Sequence, residues 1–125
     1  MVEFLVEQSL RNLRLRSVHA FIKFRTEPRY ARYLVGVTTP LIVAVSEVLR
    51  LDGKNLPRDY AERVPLIRAH FAAEASILTE MLALREKPHP LASDEERSFH
   101  RRIVELLNRV IQHVESHWTG RLGAS

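Results

Sequence analysis

From Tyr33 to Leu51 the chain reads YLVGVTTPLIVAVSEVLRL, with apolar side chains on nearly every side of the segment rather than along one stripe. A helix that is hydrophobic almost all round belongs in the middle of a bundle. At 3.6 residues per turn Leu34, Leu41, Val45 and Val48 form one face, with Val43 opposite and Ile42, Ala44 and Leu49 on the flanks. Ser46, Glu47 and Arg50 supply a narrow polar edge. The other segments must wrap around this one, and 125 residues suffice for one domain with a real core.

Those segments also repeat at three or four residues, and period-two alternation is nowhere sustained, which predicts an all-α, up-and-down bundle of four or five helices. Residues 2–25 form an amphipathic helix with Val2, Val6, Leu10, Leu13, Ala20, Phe21 and Phe24 in one sector. Thr26 is placed to cap a second helix that has Glu27 and Pro28 in its first turn. We expect one element over 28–51, kinked near Gly36 and Pro40. Asp52-Gly53-Lys54-Asn55-Leu56-Pro57 reads as a loop. A helix is expected from about residue 58, punctuated at Pro65, then a longer one over 66–86 that Lys87-Pro88-His89-Pro90 ends. Ser93 and Glu96 have capping-box spacing, so the last helix is expected from Asp94 to about Trp118, with residues 120–125 as a frayed tail. An amphipathic helix starting directly after Met1 without a cap suggests a domain excised from a longer protein, or a helix end that meets a partner.

With no cysteine, disulfides and thiolate metal sites are excluded. The N-terminus has two glutamates and no signal-peptide pattern, and the one long apolar stretch is interrupted by Thr38, Thr39, Pro40, Ser46 and Glu47, so a soluble, cytoplasmic protein without a membrane span is expected. Glycines at 36, 53, 120 and 123 build no phosphate-cradling loop, and no Gly-x-Ser-x-Gly elbow is present. Residues 1–32 hold seven arginines and lysines against three glutamates and so carry the whole net charge of +4. A basic first helix suits phosphate, or is simply a solvated outer face.

Two pairs at helical i, i+4 spacing carry potential chemistry: His70 with Glu74, and His113 with His117. Both fall within the apolar sectors of their helices, and facing pairs of imidazole and carboxylate suit zinc, iron or manganese inside a bundle. The competing reading makes His70 a core-edge histidine and places the other two near a fraying end. The run His70-Phe-Ala-Ala-Glu74 resembles the HFxxE element of hemerythrin-like bundles, although the other histidine pairs of that family have no counterpart here. Ribonucleases of the HEPN superfamily carry an Arg-x4-6-His motif. Arg14 and His19, and Arg63 and His70, match that spacing, but the first pair points about 140° apart on a helix and the second is split by Pro65. Arg109 and His113 share a face at a spacing of Arg-x3-His.

An arginine-rich first helix, then Arg29, Tyr30 and Tyr33, an apolar helix with an internal proline and a Gly-Pro loop follow one another in LRNLRLRSVHAFIKFRTEPRYARYLVGVTTPLIVAVSEVLRLDGKNLP. Over roughly residues 8–86 this order resembles the HEPN-like helical region that follows the catalytic domain in polymerase-beta-like nucleotidyltransferases. The resemblance implies a non-catalytic accessory domain without a cofactor, partnered in cis or trans with a nucleotidyltransferase and helping form a substrate site or homodimer interface. Arg14, Arg29, Tyr30, Arg32 and Tyr33 are then the residues for nucleotide or nucleic-acid contact. The alternatives are a metal-binding bundle using His70, Glu74, His113 and His117, and a HEPN-type ribonuclease using Arg109 and His113.

Overall fold

The computed structural model describes residues 2–119, and all of its regular structure is helical. Five α-helices follow in order: α1 (Val2–Phe24), α2 (Pro28–Leu51), α3 (Tyr60–Phe71), α4 (Ile77–Glu86) and α5 (Ser93–Val114). A 3₁₀ turn, Ala72–Ser76, links α3 to α4, and α5 continues into a π-turn, Glu115–Thr119. The all-α bundle is as expected, and the tail over 120–125 lies outside the described residues.

Helix α2 is the hub, packing against α1, α3, α4 and α5. Leu34, Leu41, Val45 and Val48 are buried, as are Val37, Ile42 and Leu49. By length and composition α2 would also qualify for a membrane span, with a mean hydropathy of 1.7 over its most apolar window, half of which is buried within the bundle. Ser46 does not belong to the polar edge: it is buried, and its hydroxyl donates to the Ile42 carbonyl at 2.6 Å. Thr38 satisfies its hydroxyl on Leu34 in the same way, at 2.8 Å. Helix α2 runs through Pro40, which is exposed, as is Gly36, whose carbonyl loses its intrahelical donor there.

The element boundaries depart from expectation where side-chain chemistry was misassigned. Pro65 lies inside α3 on its exposed side, so it does not punctuate the helix. The break comes seven residues later at Ala72, whose φ of 54° and ψ of −132° divide 66–86 into the end of α3, the 3₁₀ turn and α4. Thr26 is no cap, because it sits in the turn at φ 67° and Glu27 takes the N-cap position before Pro28. Ala92 replaces Ser93 as the last residue before α5, and Glu95 accepts from the Ala92 amide at 2.9 Å. Glu96 instead is buried and accepts from the Thr26 amide at 2.7 Å, tying the start of α5 to the α1–α2 turn.

Candidate metal centre

Three side chains from three elements meet at one oxygen. Asp52 follows the last residue of α2, His70 lies in the last turn of α3, and His113 lies in the last turn of α5. The Nε2 of His70 is 2.8 Å from Asp52 Oδ2, and the Nε2 of His113 is 2.7 Å from the same oxygen. All three potential donor atoms lie within 4.8 Å of one another. The imidazole centroids are 5.4 Å apart and the rings nearly perpendicular, at 78°, so each presents its edge to Asp52.

Local sequence explains how each residue arrives. Asp-Gly ends α2, with Gly53 at φ 85° and the Asp52 amide bonded back to Val48. The loop beyond is pinned by Arg63, which donates to the Pro57 carbonyl at 2.7 Å, while Asp59 caps α3 through the Ala61 amide at 2.9 Å. Buried Phe71 stands beside His70 and packs edge-on against His113, with centroids 5.4 Å apart. The Arg109 guanidinium lies 5.6 Å from the Phe71 centroid.

The electrostatics favour a cation. Helix C-termini carry roughly half a negative charge, and the ends of α2, α3 and α5 converge here together with a carboxylate. Asp52 at the end of α2 is unfavourable on its own, and a positive charge at that point offsets the penalty. Burial lowers the His113 pKa below the ordinary histidine value; the hydrogen bond and charge of Asp52 pull it upward, while His117 and His70 add to the lowering. Imidazole is the commonest side-chain ligand for metal ions. The side chains are 14%, 24% and 11% exposed for Asp52, His70 and His113, so the centre is screened yet reachable from solvent.

The other candidate residues distribute differently. Glu74 stands outside the cluster because Ala72 breaks the helix, destroying the i, i+4 alignment with His70. His117 also lies outside the three-residue cluster, stacked on His113 with centroids 4.1 Å apart. Of the residues considered for nucleotide contact, Tyr30 is buried, and burial drives its hydroxyl pKa upward; its ring is unavailable to a base. Tyr33 shares a 3.0 Å hydrogen bond with Ser17, and Arg14 donates to Asn108 at 2.7 Å, linking α1 to α5. Arg29 is exposed over Phe24, and Arg32 borders a separate cavity beside Pro28, His89 and Glu96. Tyr30 and Tyr33 stack on each other with ring centroids 6.2 Å apart.

Asp52 is the residue that sequence reasoning missed, because an Asp-Gly pair is fully explained as a turn. Its signal was present all the same: an acid at a helix C-terminus opposes the helix dipole. No protein-family model matches this chain, and no curated protein or solved structure matches it either.

Proposed function

We propose that this chain is a metal-binding helical bundle in which Asp52, His70 and His113 hold one divalent first-row transition ion. The observation that carries the reading is the meeting of two imidazole Nε2 atoms and a carboxylate oxygen at the C-terminal ends of three helices. Two imidazoles and one carboxylate suit zinc or ferrous iron and leave room for water or a further ligand.

The present distances describe a closed, hydrogen-bonded form. Ligands around a tetrahedral ion at about 2.0–2.1 Å stand about 3.3 Å apart. The 2.7 and 2.8 Å separations must therefore open by about half an ångström for an ion to enter. Each imidazole now donates its Nε2 proton to Asp52, and on ligation that proton must move to Nδ1 or leave. Such an opening is small beside the rotamer freedom of partly exposed side chains.

Isothermal titration of metal-stripped protein with zinc and, anaerobically, with ferrous iron tests the reading. One ion per chain is expected, with binding lost in His113→Ala. Heat changes that persist unaltered in that variant would refute the assignment. The accessory-domain and ribonuclease readings predict instead salt-sensitive nucleotide or nucleic-acid binding and RNA degradation lost in His113→Ala, both measurable on the metal-free protein.

A further inference from the structure

His113 and His117 lie one turn apart, and between them α5 passes into the π-turn Glu115–Thr119, where Glu115 forms an ion pair with Arg11 of α1. Single π-turns within helices recur at functional sites. The Nδ1 of His117 is 2.9 Å from the His113 carbonyl oxygen. A carbonyl only accepts, so Nδ1 carries the proton, and Nε2 is the ring nitrogen left to face an ion. Metal-ligating histidines commonly donate their other ring N–H to a backbone carbonyl, a carboxylate or water. His117 is exposed, so its side chain turns about its own torsions without disturbing the core.

We infer that His117 is the fourth ligand of the centre, swinging from its stack on His113 to close a tetrahedral site with Asp52, His70 and His113. This inference rests on the metal-binding reading and goes beyond it by making the centre a closed one. Three imidazoles and one carboxylate around one ion form a tetrahedral set that favours zinc over an ion needing open octahedral positions. A closed zinc ion joins the end of α2, the end of α3 and the π-turn after α5, so metal occupancy is coupled to the position of the α5 terminus.

The test is imidazole ¹⁵N NMR of the full chain with one equivalent of zinc, with zinc affinity measured in parallel for His117→Ala. Ligation of three ring Nε2 atoms, those of His70, His113 and His117, is expected, and His117→Ala is expected to weaken zinc binding by at least about 10-fold while leaving the metal-free melting curve unchanged. Zinc held by His70 and His113 alone, with unaltered affinity in His117→Ala, overturns the fourth ligand and leaves the three-residue centre standing. Failure of the wild-type chain to take up zinc overturns the centre itself, and the fourth ligand with it.

Discussion

Replacing Asp52 by asparagine separates metal ligation from hydrogen bonding at the same atoms. Asparagine keeps the shape of the side chain and one oxygen to accept from both His70 and His113, but it loses the charge that offsets an ion. In metal-free buffer two charge-assisted hydrogen bonds become neutral ones, a loss of about 1–2 kcal/mol. The larger effect appears with metal. An ion that binds only the folded chain stabilises it by about 2.7 kcal/mol at a free concentration 100 times its Kd. For a domain of this size that amounts to a rise in Tm of roughly 10 °C. Differential scanning calorimetry in chelator and in zinc should show this rise for the wild type and less than about a quarter of it for Asp52→Asn at the same zinc concentration. The reasoning is refuted if Asp52→Asn keeps the whole zinc-dependent rise, since the carboxylate is then no ligand.

Two further perturbations probe the scaffold. His100 stacks on Phe21 at 4.3 Å with its Nδ1 buried and unpartnered among the described residues, and burial lowers its pKa. The unfolded chain therefore binds the His100 proton more readily, so its contribution to stability falls as pH drops below about 6.5. His100→Phe should stabilise the fold by about 1 kcal/mol at neutral pH, and urea melts at pH 7.5 and 5.5 should differ less than in wild type; an equal pH difference would count against the assignment. Ala72, two residues beyond His70, holds a backbone conformation suited to glycine. Ala72→Gly should raise stability by about 1 kcal/mol in urea denaturation, and a loss of stability would show that the turn is unstrained.

Periodicity alone revealed the bundle and its central helix, because burying α2 on most sides demands apolar residues on most sides. The faces of α1 and α5 were equally legible. What failed were features decided by a single side chain or torsion. Ser46 looks polar in a sequence, yet a hydroxyl can satisfy itself on its own helix. Pro65 looks like a break, yet an exposed carbonyl tolerates the missing donor, whereas the true break at Ala72 carries an ordinary helix former. Glu96 has the spacing of a cap but serves a turn seventy residues away in sequence. For the site, both central histidines stand out by type and spacing. Their convergence with Asp52 depends on which helix ends meet, and that is a property of the packed bundle rather than of any window of residues.

The central claim is tested most directly by elemental analysis of the chain, produced without a histidine tag and purified without added metal or chelator, beside Asp52→Asn and His113→Ala. The account predicts close to one transition-metal ion per wild-type chain, zinc by the closed-site reading, and little in either variant. Folded wild-type protein that carries no metal and gains none on exposure to zinc or ferrous iron would contradict it.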